Sequence, residues 1–155
     1  MKCPYCSSED TQVKDSRPTD DAVAIRRRRV CDKCEGRFTT FERIQLRDLT
    51  VIKNNGVKQA FDRDKLYRSL KLALQKRPID SDKIQQVVNE IVRQLETLGE
   101  SDIPSKLIGE KAMQALAGLD PVAYVRYASV YKDFREVSDF RDFVGDLKAR
   151  VGQGA

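Results

Sequence analysis

Two cysteine pairs, Cys3-Pro4-Tyr5-Cys6 and Cys31-Asp32-Lys33-Cys34, decide how the first quarter of this chain folds. Each pair has two residues between its members. That spacing turns the chain back in a tight knuckle, so that both sulfurs reach one ion, and two knuckles supply four thiolates about 2.3 Å from zinc. The stretch between the pairs is long enough for one or two small hairpins, as in zinc ribbons. Two disulfides are the alternative in an oxidising compartment, and tetrahedral sulfur also suits iron. A thioredoxin-like redox motif needs only one such pair, set at a helix start. One zinc ion held by Cys3, Cys6, Cys31 and Cys34 is structural, because four protein ligands leave no open position. In a segment this short, metal binding supplies most of the folding free energy.

Outward from the knuckles the chain is basic. Arg17 precedes an acidic loop at Asp20-Asp21, and Ile25-Arg26-Arg27-Arg28-Arg29-Val30 leads into Cys31. Arg37-Phe38-Thr39-Thr40-Phe41-Glu42-Arg43 follows the second knuckle. Between Arg26 and Arg47 eight basic residues stand against three acids. In a strand, alternate side chains leave on opposite faces, which pairs Arg26 with Arg28 and Arg27 with Arg29. The guanidinium fork holds a phosphate or the O6/N7 edge of guanine through two bonds, and threonine hydroxyls add phosphate contacts. Arg17, Arg26, Arg27, Arg28, Arg29, Arg37, Thr39 and Thr40 are therefore the candidate nucleic-acid contacts. Arginines that merely offset a negative zinc–thiolate cluster account for one or two of these, not for the whole density. The residues alone do not choose between DNA and RNA.

The totals bound the rest. The chain has 155 residues, a formal net charge of +5 and neither His nor Trp. Without histidine, the commonest general base and the commonest neutral metal ligand are absent. No window approaches the roughly 18 apolar residues of a membrane span, and no apolar stretch follows the charged start, so neither a membrane segment nor a signal peptide is expected. The expected compartment is the cytoplasm, in association with the nucleoid if the nucleic acid is DNA.

Beyond Arg47 the composition changes. Asp48 to Phe61 reads as a hairpin, with β-branched Val51 and Ile52 and a type I′ turn signal at Asn55-Gly56. Asp62 caps a helix carrying Leu66, Leu70, Ala73 and Leu74, ended by Pro78. Ser81 or Asp82 caps a second, with Ile84, Val87, Val88, Ile91, Val92, Leu95 and Leu98 at helical spacing before Gly99. Pro104-Ser105 opens a third. Asp120-Pro121, a cap followed by proline at the first helical position, opens a fourth that carries Val122, Val125, Ala128, Tyr131 and Phe134. The fold class is α+β: a small N-terminal zinc ribbon over residues 1–46, a β-hairpin plus four-helix domain over 49–139, and a C-terminal tail over 140–155 that frays from Val144. No Gly-rich phosphate loop is present.

The order of parts resembles a known family. Met-x-Cys-Pro-x-Cys, Asp15-Ser16-Arg17 and Ile25 through Glu42 look like the zinc ribbon of the NrdR family, bacterial repressors of ribonucleotide reductase genes. Val51-Ile52-Lys53-x-x-Gly56, Phe61-Asp62-x-x-Lys65-Leu66, Lys76-Arg77-Pro78 and Val122 through Tyr131 look like that family's ATP-cone. The resemblance covers roughly residues 1 to 140. It implies a non-enzymatic, nucleotide-sensing repressor: a ribbon that binds paired operator boxes on double-stranded DNA in reductase promoters, and a cone that binds ATP or dATP. The bound nucleotide sets the state of a homo-oligomer. It also implies that Lys53 and Lys65 meet phosphates, and that Val51, Gln59 and Tyr131 lie near the nucleotide. ATP-cones often carry glutamate where this chain has Gln59, an Asp or second basic residue around Asn54-Asn55, and the family usually has Phe where this chain has Tyr127. An RNA- or ribosome-associated zinc ribbon is the alternative; it explains the arginines and cysteines but not the cone-like pattern.

Overall fold

The computed structural model describes residues 1–45 and 47–152, the last five as backbone only. Leu46, the expected last residue of the ribbon, and residues 153–155 of the expected tail lie outside the described residues. The chain divides into two compact units, Met1–Arg47 and Asp48–Ala155.

The first unit is a three-stranded antiparallel sheet below two knuckles. Strands β1 (Thr11–Pro18), β2 (Ala24–Cys31) and β3 (Arg37–Arg43) lie in the order β1-β2-β3, so the arginine strand is central. Opposite partners in β2 and β3 run from Ala24 against Arg43 to Val30 against Arg37. On the β1 side the register shifts between Val13 and Asp15. That bulge turns Asp15 and Arg17 onto the face of Arg28 and Arg26, their cross-strand partners. Thr19 closes the β1–β2 loop: its backbone N–H donates to Ala24 O at 2.9 Å, and its hydroxyl donates to Asp21 Oδ1 at 2.5 Å.

The second unit opens with the expected hairpin, β4 (Thr50–Ile52) and β5 (Lys58–Ala60). The turn differs from expectation. Gly56 has φ +81 while Asn55 is not among the residues with positive φ, so the type I′ geometry, which needs both, does not form. Instead the Gly56 N–H donates to Lys53 O at 2.8 Å and the Lys53 N–H to Val57 O at 2.9 Å, a longer loop with one left-handed residue. A third strand, β6 (Asp102–Pro104), pairs in parallel with β4 on the side away from β5. Three residues with one apolar member carry no alternation signal, which is why the sequence gives no sign of it.

Between β5 and β6 run α1 (Arg63–Ala73) and α2 (Ser81–Thr97), followed after β6 by α3 (Ser105–Leu119), α4 (Pro121–Tyr131) and α5 (Val137–Gly152). Asp62 caps α1 as expected, accepting from the Lys65 N–H at 3.0 Å. The helix stops at Ala73, well before Pro78: Lys76 turns left-handed (φ 61) to enter the proline segment. The cap of α2 is Asp80, not Ser81 or Asp82; three adjacent residues could serve, and Asp80 accepts from the Lys83 N–H at 2.7 Å. The apolar stripes meet in one core of Leu66, Leu70, Ala73 and Leu74 from α1, Ile84, Val88, Ile91 and Leu95 from α2, Ala112 and Leu116 from α3, and Ala123 from α4. Each buried Leu or Ile there contributes about 1.5–3 kcal/mol. Leu98 and Val122, expected on core faces, are instead half exposed.

Asp120 locks the bundle at its far end. It is buried, caps α4 through the Ala123 N–H at 2.8 Å and accepts from Arg77 Nε at 2.8 Å. Burial works to raise its pKa, but the Ala123 N–H and the Arg77 guanidinium hold it below the usual carboxylate range. Phe134 lies beyond α4 rather than in it. The expected fraying segment is helical: α5 runs through Val144 to Gly152 and is clasped by aromatic rings. Phe143 stacks on Tyr124 at 5.6 Å and meets Phe134 at 5.4 Å, with Lys132 Nζ 4.6 Å from its centroid. Among the described residues no helix is long and apolar enough to cross a membrane.

Candidate metal centre, basic face and nucleotide cluster

The two knuckles repeat one hydrogen-bond scheme. Cys3 O accepts from the Ser7 N–H at 2.9 Å while the Cys3 N–H donates to Ser8 O at 2.8 Å. Cys31 O accepts from the Glu35 N–H at 2.9 Å while the Cys31 N–H donates to Gly36 O at 3.0 Å. Ser7 and Glu35 occupy the same place in each and both take positive φ, 61 and 56. Two equivalent loops thus deliver two thiols apiece. Tyr5 ties one knuckle to the other, its hydroxyl donating to Arg37 O at 3.0 Å.

All four sulfurs lie within 4.8 Å of one another. Cys3 Sγ is 3.6 Å from Cys34 Sγ, and Cys6 Sγ is 3.6 Å from Cys31 Sγ. All four are free thiols, so the two-disulfide alternative does not apply. A tetrahedron with zinc–sulfur bonds of 2.3 Å has edges of about 3.8 Å, and these separations fit it. The electrostatics point the same way. Burial acts to raise the Cys3 pKa, but the N–H groups of Tyr5 and Cys6 and the adjacent thiols bring it down to about 7. The Gly36 N–H favours the Cys34 thiolate, yet Cys6, burial, Cys3 and Cys31 push that thiol up to about 12. Four thiolates within 4.8 Å of one another repel, and a cation among them offsets that repulsion.

The candidate nucleic-acid residues divide between two faces of the sheet. Arg26 and Arg28 share one face with their partners Arg17, Asp15, Phe41 and Thr39, and with Arg37 and Arg43 at its ends. Arg27, Arg29 and Thr40 share the other. There the guanidinium groups are engaged within the sheet: Arg27 pairs with Glu42 at 2.8 Å and Arg29 Nε donates to Thr40 Oγ1 at 3.0 Å. On the first face Arg28 is exposed, Arg17 pairs with Asp15 at 3.1 Å, and Arg43 stacks over Phe41 at 4.6 Å. Arg26 Nε is buried and has no hydrogen-bond partner among the described residues.

In the second unit contacts and chain neighbours lead from Lys65 through Tyr131 to Lys53, while Val51 and Gln59 lie apart from them in the sheet. On α1 Lys65 lies one turn before Ser69, whose hydroxyl donates to Leu66 O at 2.8 Å and, against burial, works to lower the pKa of the Tyr127 hydroxyl. Tyr127 stacks on Tyr131, centroids 6.1 Å apart. The Tyr131 hydroxyl donates to Lys106 O at 2.8 Å in the first turn of α3. The neighbouring Ser105 Oγ lies 3.5 Å from Asn54 Oδ1, beside Lys53 in the hairpin loop. The parallel pairing of β4 with β6 produces this meeting, because it sets the hairpin loop beside the start of α3. That helix start has no side-chain cap, and the first N–H groups of a helix have no partner within it. Burial raises the Tyr127 and Tyr131 pKa values, and the charge of Glu110 adds to the effect at Tyr131. Val51 is buried in the sheet, flanked by Ile103 and by Gln59, which is exposed on β5.

Residues 1–42 match the family model described as the N-terminal domain of NrdR-like transcriptional repressors, and residues 49–137 match the ATP cone domain. A protein of Rhodospirillum centenum named transcriptional repressor NrdR is 62% identical over 154 residues, covering 99% of this chain and 100% of its own. A namesake from Ruegeria sp. is 62% identical over 148 residues, covering 96% of each chain. Another from Rhodospirillum rubrum is 60% identical over 147 residues, covering 95% of this chain and 97% of its own. The chain belongs to the NrdR family. It is a transcriptional repressor with a four-cysteine zinc ribbon and an ATP-cone nucleotide-binding domain, in a family of regulators rather than enzymes.

Sequence reasoning about the two candidate sites of this NrdR-family chain missed three neighbours. Asn54 and Ser105 join the cluster only because of β6. Phe41 joins the basic face only through its register opposite Arg26. Strand alternation does predict the division of the arginines, but not which half the sheet would engage internally.

Proposed function

We propose that this chain represses ribonucleotide reductase genes by binding operator boxes on duplex DNA, with ATP or dATP in the cone setting the state of a homo-oligomer and hence operator binding. The ribbon, residues 1–46, is the DNA-binding domain, and residues 49–139 are the nucleotide-binding domain. The observation that carries the reading is the sheet face of Arg17, Arg26, Arg28 and Arg37 with Thr39, opposed by one acid, Asp15. Arginine forks on one surface of a zinc-fixed sheet suit phosphate and guanine, and Arg43 with Phe41 extends that surface. Arg27, Arg29 and Thr40 hold the sheet together behind it.

In the cone, Lys53 and Lys65 supply positive charge for the phosphates, and the uncapped start of α3 adds N–H donors. Val51, Gln59 and Tyr131 bound the sugar and base. Gln59 gives a hydrogen bond without charge. Zinc, bound by Cys3, Cys6, Cys31 and Cys34, supplies the charge that lets four thiolates coexist.

The test is duplex binding to a reductase-promoter fragment by the zinc-loaded chain, titrated with ATP and with dATP, with mass measured in parallel. Affinity and mass that both follow the nucleotide support the reading. DNA binding with no nucleotide effect removes the cone from it. Preference for structured RNA over the duplex replaces it with an RNA-associated ribbon.

A further inference from the structure

Gly109 is buried within α3, where its φ is not positive, so the backbone there does not require glycine. A glycine inside a helix is disfavoured relative to alanine. Its neighbour explains it. A Cβ at position 109 would stand 1.9 Å from Cε2 of Tyr131 and 2.6 Å from both Cδ2 and Cζ. The ring of Tyr131 therefore lies in a notch against the α3 backbone. Its hydroxyl is tied to Lys106 O at 2.8 Å, and the Tyr127 ring stacks 6.1 Å away. The notch, the hydrogen bond and the stack fix one ring position, next to the first turn of α3 and the contact between Ser105 and Asn54.

We propose that Gly109 is a positioning residue for nucleotide binding: by admitting the Tyr131 ring against α3, it sets the wall on which an adenine nucleoside triphosphate rests. This rests on the reading of the cone given above. With alanine at 109 the ring must leave the notch. It then loses its bond to Lys106 O and its stacking on Tyr127, while both lysines and the hairpin loop stay in place.

The test is calorimetric titration of ATP and dATP into the zinc-loaded full chain, as wild type, Gly109→Ala, Tyr131→Ala and the double variant, with thermal melts of each. We expect Gly109→Ala and Tyr131→Ala each to weaken binding at least tenfold, and the double variant to bind no more weakly than Tyr131→Ala. The double variant should melt at or above Tyr131→Ala, since alanine suits the helix once the ring is gone. A merely structural role for Gly109 does not produce that non-additivity in affinity. If Gly109→Ala alone does not fold, folding and Tyr131→Ala-level binding in the double variant carry the same conclusion, and their absence overturns it. Wild-type affinity in Gly109→Ala or in Tyr131→Ala, or a further comparable loss in the double variant, overturns the proposal and leaves the nucleotide reading standing. No binding by the wild-type chain overturns that reading, and the proposal with it.

Discussion

Arg28 and Arg27 are adjacent in sequence and lie on opposite faces of the same strand, so substituting each with alanine separates charge from position. Both changes remove one unit from a formal charge of +5, and any effect of bulk charge is the same for both. Arg28 is exposed and stands opposite Asp15 and Thr39. If it meets a phosphate, its loss lowers the slope of log affinity against log salt by about 0.9 per ribbon engaged; if it also meets a base, it costs about 1–3 kcal/mol, roughly 5- to 150-fold in affinity. Arg27 is already paired with Glu42 at 2.8 Å, its side chain one-third exposed. Losing that pair costs the ribbon under about 1 kcal/mol of stability and leaves duplex affinity within about twofold. The assay is fluorescence anisotropy on a labelled promoter duplex at several salt concentrations, with one zinc per chain verified for each protein. Equal losses for the two variants, both with zinc retained, refute the assignment of the arginine faces. A larger loss for Arg27→Ala reverses it.

Cys31→Ser removes one of four ligands from a site that organises the whole ribbon, and should abolish stoichiometric zinc binding while leaving the far-ultraviolet helical signal nearly unchanged; zinc retained at one per chain contradicts the ligand set. Lys53→Ala should weaken ATP binding without altering zinc content or basal melting, as read by calorimetry. Asp120→Asn keeps a capping side chain but removes the carboxylate facing Arg77, and should cost about 1–2 kcal/mol, lowering the melting temperature of the second unit by roughly 4–16 °C. Because the folded-state pKa of Asp120 is depressed, its stabilisation is fully present above the ordinary carboxylate range and is lost as the pH falls through the folded value. The gap between wild type and Asp120→Asn melts should therefore be widest near neutrality and close in acid; a gap that widens in acid contradicts the pairing.

What the sequence made legible follows the range of the interactions involved. The knuckles were readable because two-residue spacing is local and brings four thiols to one point. Leu66, Leu70, Val88, Ile91 and Leu95 were readable because helical period is local as well. The misses are the features that depend on a distant strand or helix. Strand β6 exists only because Val51 and Ile103 pair across the α1–α2 crossover. The bulge in β1 that brings Asp15 and Arg17 onto the face of Arg28 and Arg26 is invisible until β2 lies beside it. Val144, read as part of a fraying tail, belongs to α5, whose docking rests on Phe143 finding Tyr124 and Phe134.

The same distinction governs the two candidate sites. In the ribbon the sequence carries the chemistry and the fold only divides it, so a residue-level reading names a candidate strand and leaves one binary question, which face meets the nucleic acid. In the cone the individual side chains carry little signal: two lysines, a serine, an asparagine and a tyrosine are ordinary residues. They become a candidate site through the parallel pairing that sets the hairpin loop against the uncapped start of α3, and through the contacts by which Tyr131 reaches the same helix turn. Perturbing that assembly therefore does not require touching a charged group. On the proposal above, a single methyl at Gly109 reaches it through the Tyr131 ring, whereas the ribbon responds to the loss of individual charges.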